Sequence, residues 1–433
     1  MRFTPWATRL VLMLSLSATA FLTACGGGGK GSSDTQVRLL NATRSYAQLD
    51  LSVNDKTINS KVAYATVGDY GTVDTGATAT KVLESAVGTS ISATTPTLTG
   101  GSNYTYISYG FAGAIRTTLL QEAETAPDAN KAKLLVLNLA PDAGAMDVYV
   151  TTATDDINTA TALTTNLQGG AGSGYIQINS GTFRVRVTGY NKRTDLRLDI
   201  PAVTLDSASV NTLILTATDG GVLVNGITLV QKGAVKNFAN TQSRVRTVAA
   251  LTSGGTVASS INGRAMFGSP AISPLISEYV TVASGASTLS AQVNGANISF
   301  TAPTLTAGND YTLLVWGDAA APKLSVLNDD NRLPTVSGNV KIRLVNALPT
   351  VSSSLNVDFS ALASNVAPGA VSLVGSISST TTSQVDVTVP TSATSIYTNA
   401  TLAFPANSVW TFFAVPSATA AQGMTALPKR ERP

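Results

Sequence analysis

The 433 residues are too many for one hydrophobic core, and length alone predicts two to four domains. Apolar residues make up 44% of the chain, only 12% are charged, and the polar share is mostly Thr, Ser, Asn and Gly, a balance of strand and turn formers that predicts an all-β protein. Histidine is absent and cysteine occurs once, which excludes Ser-His-Asp and Cys-His catalysis and the usual zinc sites; the net charge of +3 gives nucleic acid no basic surface to bind.

Arg2 and Arg9 make the N-terminus basic, and an apolar run follows over residues 10–20, LVLMLSLSATA. That run has the length of a signal-peptide core rather than of a membrane span. It ends in Leu22-Thr23-Ala24-Cys25, which resembles the lipobox of bacterial lipoproteins. The resemblance implies that residues 1–24 are a signal peptide and that the Cys25 thiol carries the lipid. As the sole cysteine, Cys25 has no internal disulfide partner. An anchor of several acyl chains, at about 0.8 kcal/mol per buried CH₂, would hold the protein on a membrane. Residues 25–35 form a Gly- and Ser-rich tether. Gly26, where an Asp would be an alternative signal, resembles the pattern of lipoproteins exported to the outer membrane. The expected address is therefore the cell envelope, lipid-anchored at the outer membrane, with the domains facing the periplasm or the exterior.

From residue 36 onward the chain repeats. Opening strands begin at Val37, Lys133, Arg244 and Lys341, and they align Asn41, Asn138, Ala249 and Asn346. A Tyr-x-x-(Val/Ile)-x-x-Gly landmark follows in three units: Tyr70 to Gly76, Tyr175 to Gly181 and Tyr279 to Gly285. Late strands then carry an aligned threonine: Thr105, Thr212, Thr312 and Thr411. Four units of one kind are predicted, at 36–130, 131–242, 243–338 and 339–433. Short joints predict a semi-rigid rod.

Within a unit, Ile342 and Leu344 alternate with Lys341 and Arg343, and Phe183, Val185 and Val187 alternate with Arg184, Arg186 and Thr188. One dry and one wet face per sheet, with frequent turn signals, predict antiparallel β-sandwich domains of immunoglobulin-like type. The landmark glycines are expected at positive φ, and the landmark tyrosines at the core edge with bonded hydroxyls.

The opening KLLVLNLAPDAGAMDVYV, from Lys133, and LTAGNDYT, from Leu305, resemble the repeats of the bacterial family named domain of unknown function 4397. Pro141, Asp142, Asp147, Val148 and Tyr149 match the family's opening strand, and Asn138 stands where the family often has His. The resemblance implies tandem β-sandwiches on secreted or surface proteins, and it carries no catalytic residues.

No residue is singled out as catalytic, cofactor-binding or metal-binding. The Gly-rich GGAGSG at 169–174 suits a loop between strands. The adjacent acids Asp155-Asp156 and Asp329-Asp330 read as turn closers. Asn328, Asp329, Asp330 and Asn331 also offer clustered oxygens, which leaves calcium as the other reading of that loop. The pairs Asn41 with Asp50 and Asn138 with Asp147, and Asn346 with Asn356 at shifted spacing, read as loop braces. The aromatic residues Tyr104, Tyr106, Tyr109, Phe111, Trp316, Trp410, Phe412 and Phe413 read as core, with a sugar-stacking platform as the other use. The expected function is a non-catalytic binding, adhesion or scaffolding module with a glycan or protein ligand. The alternative is a carboxylate-dependent hydrolase acting on envelope polysaccharide.

Overall fold

The computed structural model describes residues 34–432, so the signal segment, the lipobox Leu22, Thr23, Ala24 and Cys25, and most of the tether lie outside the described residues. The described chain is built of strands, with two single-turn 3-10 segments, Pro141–Ala143 and Thr252–Gly254.

Each opening strand (Thr35–Asn41, Lys131–Leu139, Gln242–Leu251, Asn339–Asn346) lies at the centre of one sheet, and the second sheet of each unit is antiparallel throughout. In the first unit the opening strand lies between Asn103–Tyr109 and Gly71–Val73, and the facing sheet runs Lys56–Ala63, Gln48–Val53, Thr80–Glu84, Ser90–Thr94. The sandwich form expected from alternation is therefore present. Each opening strand also pairs in parallel with the late strand of its own unit, with Arg38 opposite Thr105, Leu135 opposite Thr212, Arg246 opposite Thr312 and Arg343 opposite Thr411. A parallel pair needs a long crossover, and the whole facing sheet supplies it.

Local chemistry explains the turns. Gly76, Gly181 and Gly285 of the Tyr landmark have φ of 90°, 146° and 96°, a region open to glycine because it lacks Cβ. In the second strand pair of three units, Lys61, Asn166 and Asn365 are left-handed at φ of 56°, 53° and 52°. Each exposed N–H there is caught by a neighbouring side chain: Asp50 Oδ1 at 2.7 Å, Asp147 Oδ1 at 2.9 Å and Ser354 Oγ at 3.0 Å. The fourth unit's counterpart of the bracing Asp is thus Ser354, and the shifted Asn356 is not.

Cores fill each sandwich: Leu39, Leu49 and Val82 in the first unit, Val136, Val148 and Val187 in the second, Leu344, Leu355 and Phe412 in the fourth. The outer face of the mixed sheet, expected to be wet, is also dry. Leu40, Ile107 and Tyr109 of the first unit pack on Leu139, Ile214 and Ile227 of the second. In the same way Val248, Leu314 and Trp316 of the third unit pack on Val345 and Phe413 of the fourth. The rod expectation fails for this reason. Units are joined sheet to sheet in pairs, and Arg343, read as solvent-facing, is buried.

Candidate functional site

Two places concentrate polar chemistry: the buried seams between paired units, and a cleft where the pairs meet. The seams follow one rule. An arginine three residues before the aligned Asn or Ala donates through Nε to the aligned threonine across the parallel pair: Arg38 to Thr105 at 2.9 Å, Arg246 to Thr312 at 2.8 Å, Arg343 to Thr411 at 2.9 Å. The last strand of each unit then offers a residue at one fixed register, two beyond the partner of that threonine: Glu122, Gln231, Asp329 and Glu431.

In the first unit, Arg38 Nη2 stands 3.1 Å from both oxygens of its own unit's Glu122, which also accepts from the Tyr70 hydroxyl at 2.6 Å. The guanidinium lies 4.3 Å from the centre of the Tyr70 ring. The second unit has Leu135 and Gln231 at the two positions, so arginine and acid are missing together.

In the third and fourth units the acids are exchanged. Arg246 of the third unit makes two 2.7 Å bonds to Glu431 of the fourth. Arg343 of the fourth unit faces Asp329 of the third, with Nη2 2.9 Å from Oδ1 in an ion pair that lacks hydrogen-bond alignment. Arg246 stands 3.8 Å from Asp329 as well. Tyr279 donates its hydroxyl to Asp329 at 2.6 Å, and Thr312 donates to the same oxygen. Burial holds the Tyr279 hydroxyl well above its usual range, so it remains a donor.

The cleft has a volume of about 440 Å³ and lies between the loop after Tyr109, the Pro141–Asp142 turn, the connector at 330–337 and the edge of the fourth unit. Two carboxylates, Asp142 and Asp330, line it, and a glycoside hydrolase works with a pair of carboxyl groups. Burial pushes the Asp142 carboxyl up. Burial acts the same way on Asp330, but hydrogen bonds and charge from Arg332 and Lys341 outweigh it and hold that carboxyl down at about 2. Asp330 Oδ1 accepts from Arg332 Nε at 2.7 Å, and Oδ2 stands 2.9 Å from both Arg332 Nη2 and Lys341 Nζ. A carboxylate with both oxygens bound to cations is a weak base and a poor nucleophile, so Asp330 clamps the connector and does not complete an acid and base pair. Lys341 Nζ adds a 2.8 Å bond to the Arg332 carbonyl, and the Arg332 guanidinium lies 4.8 Å from the Phe111 ring centre.

Asp329 and Asp330 are engaged by guanidinium and ammonium groups, and Asn331 donates to Asp310 and Tyr279, which leaves this loop surrounded by positive charge and unsuited to calcium. Asp155 and Asp156 close exposed turns by accepting from Thr152 N and Asn158 N, both at 2.9 Å. Among the described residues, no group of three or more Cys, Asp or Glu is placed to hold a metal. Asn41, Asn138 and Asn346 are buried braces. Each amide donates to a carbonyl at the end of a strand in the facing sheet, that of Val62, Leu167 or Val366, and each Oδ1 accepts from the N–H two residues on. Each brace acts on its own: Asn41 and Asn138 make no hydrogen bond to Asp50 and Asp147, and Asn346 makes none to Asn356. The Gly-rich 169–174 turns into the strand Gly172–Asn179 beside the opening strand. Tyr104, Tyr106, Phe412 and Phe413 are core, and Trp410 packs edge-on to Phe404 at 5.5 Å, so these rings form no exposed platform. Sequence reasoning missed the arginine and acid register. Its signal was the recurrence of Arg38, Arg246 and Arg343 at one aligned position.

The model of the family described as "Domain of unknown function (DUF4397)" matches residues 35–149 and 243–353. No curated protein matches the chain. Among solved structures, the chain is similar to a family CBM26 module of Amy13K from Eubacterium rectale in complex with maltoheptaose, at 14% identity, TM-score 0.17, covering 46% of this chain and 97% of that one. It is also similar to a candidate cell adhesion protein from Bacteroides uniformis, at 12% identity, TM-score 0.22, with coverages of 46% and 97%. At such scores neither likeness carries an argument about what this chain binds.

Proposed function

Since the chain belongs to the family of domain of unknown function 4397, we propose that it is a lipid-anchored envelope protein whose four sandwich domains, at 36–130, 131–242, 243–338 and 339–433, bind or scaffold without catalysis. The observation that carries this reading is the interlock. Buried ion pairs join the third and fourth units, and Arg432 of the last strand donates to the carbonyls of Gly221 and Asp142 in the second. Such an assembly holds its loops and cleft in fixed positions, which suits presentation of a binding surface. Its buried acids neutralise arginines, leaving them no part in bond cleavage. The anchor is Cys25, with the signal removed before it, and Gly26 favours the outer membrane.

The test is protease shaving of intact cells alongside a Cys25→Ser variant. The wild type should fractionate with outer membranes and the variant should be soluble. Loss of the domains from intact cells would favour adhesion, and protection until the outer membrane is opened would favour an envelope-assembly role. A Cys25→Ser protein that remains in the membrane fraction would refute the anchor.

A further inference from the structure

Resting on the binding reading above, we propose that the cleft where the two pairs of units meet takes an acidic sugar, a uronate within an oligosaccharide, with the ligand carboxylate on Arg116. Three of the five charged residues in the cleft are already ion-paired. Asp330 engages both Arg332 and Lys341, Asp142 supplies the second acid of the cleft, and Arg332 also covers Phe111. Arg116 lines the same cleft, is exposed, and makes no ion pair among the described residues. Asp142 accepts from Leu333 N at 2.9 Å through Oδ1, and no protein donor among the described residues reaches its Oδ2. Asn407 accepts from Gly338 N at 3.1 Å through Oδ1, which leaves its NH₂ for a ligand. Leu333, Pro334 and Val374 supply apolar wall.

The cleft therefore presents one cation without a counter-charge, separate hydrogen-bonding groups of both kinds, and apolar surface between them. A sugar ring matches this set, with C–H faces for the apolar wall and hydroxyls for Asp142 and Asn407. The cation selects an acidic sugar, because a neutral one would desolvate Arg116 without a counter-charge, whereas a carboxylate meets guanidinium through two parallel bonds. The volume of about 440 Å³ lies within the range of small-ligand sites. An extended peptide fits less well, since it needs a free strand edge. The edge strand there, Gly375–Ser378, brings only Ser376 into the cleft wall.

Calorimetric titration of the full chain in detergent micelles tests this, with oligogalacturonate, a malto-oligosaccharide of equal length and oligoglutamate as probes. Only the uronate should bind. Arg116→Gln should weaken it at least tenfold, and Arg116→Lys should recover part of the loss. Unchanged tryptophan fluorescence would verify the fold of both variants. Equal binding of the neutral glycan, indifference to Arg116→Gln, or binding of oligoglutamate in place of the uronate would each overturn the proposal. Failure of uronate binding in a protein that still fractionates by way of Cys25 would remove the ligand and leave the anchored-binding reading intact. Uronate binding by a protein that proves unanchored would do the reverse.

Discussion

Glu431→Ala tests the exchanged ion pairs most directly. Glu431 meets Arg246 through two 2.7 Å bonds, and both side chains are almost fully buried, at 1% and 0% exposure. Removing the carboxylate leaves the guanidinium in the dry seam against Phe413 and Tyr279, with Asp329 at 3.8 Å and already facing Arg343. Breaking one side of a buried pair costs about 3–5 kcal/mol, chiefly because the remaining charge has no partner. The two tryptophans of the described chain, Trp316 and Trp410, lie in the third and fourth units, so urea unfolding followed by fluorescence reports on this seam. With a slope of about 2.5 kcal/mol/M, the midpoint should fall by about 1–2 M. The double variant Arg246→Met, Glu431→Leu should recover most of that loss, because an apolar pair of similar volume removes the desolvation cost along with the attraction. A shift below about 0.3 M for Glu431→Ala would refute the assignment of this pair as a lock between the units.

Three further outcomes follow from the same geometry. Tyr279→Phe removes the hydroxyl donated to Asp329 and should cost about 1.5–3 kcal/mol in the same unfolding assay, as expected for a hydrogen bond to a charged group; no measurable cost would mean that Arg343 and Thr312 suffice. The Asp330 carboxyl is held at about 2 in the folded chain, below its unfolded value of about 3.9, so the stability it contributes is complete above about pH 4 and is lost as pH falls towards 2. Asp330→Asn should flatten that part of an acid unfolding curve, and an unchanged curve would exclude the clamp as its source. Phe359 occupies a left-handed turn position at φ of 65° with 83% of its surface exposed, where the matching hairpins carry Asp55 and Gly263. Phe359→Gly should stabilise the chain by about 1 kcal/mol, read as a higher urea midpoint, and a lower midpoint would show that the ring makes a contact the strain sustains.

What could be read in the sequence was local. Alternation over Lys341–Leu344 and the Tyr-x-x-(Val/Ile)-x-x-Gly spacing predict strands and turns, because both depend on neighbours within a few residues. The same alternation misled on Arg343 and Lys341. A polar residue on an alternating strand reads as solvent-facing, and nothing nearby announces that another unit covers that face. Arg246 and Glu431 are 185 residues apart, and which of several acids meets which arginine depends on how whole sheets stack. The cleft was hidden for the same reason, since Arg116, Asp142 and Asn407 meet only after three units have docked. The bracing asparagines lay between these cases. Their role was legible from recurrence, but each acts alone, and in the fourth unit Ser354 does the work ascribed to Asn356.

The exchange of acids between the third and fourth units also limits how such a chain can change in length. A recombination event that dropped or inserted one unit of that pair would leave a buried arginine facing no carboxylate, a defect of several kcal/mol in one step. Gain or loss of two units together leaves every charge matched. The second unit is consistent with this rule, since Leu135 and Gln231 show arginine and acid absent as a set. The family matches begin at residues 35 and 243, one pair of units apart. The docked pair is the unit within which every buried charge is matched, and chains built this way should lengthen or shorten by twos.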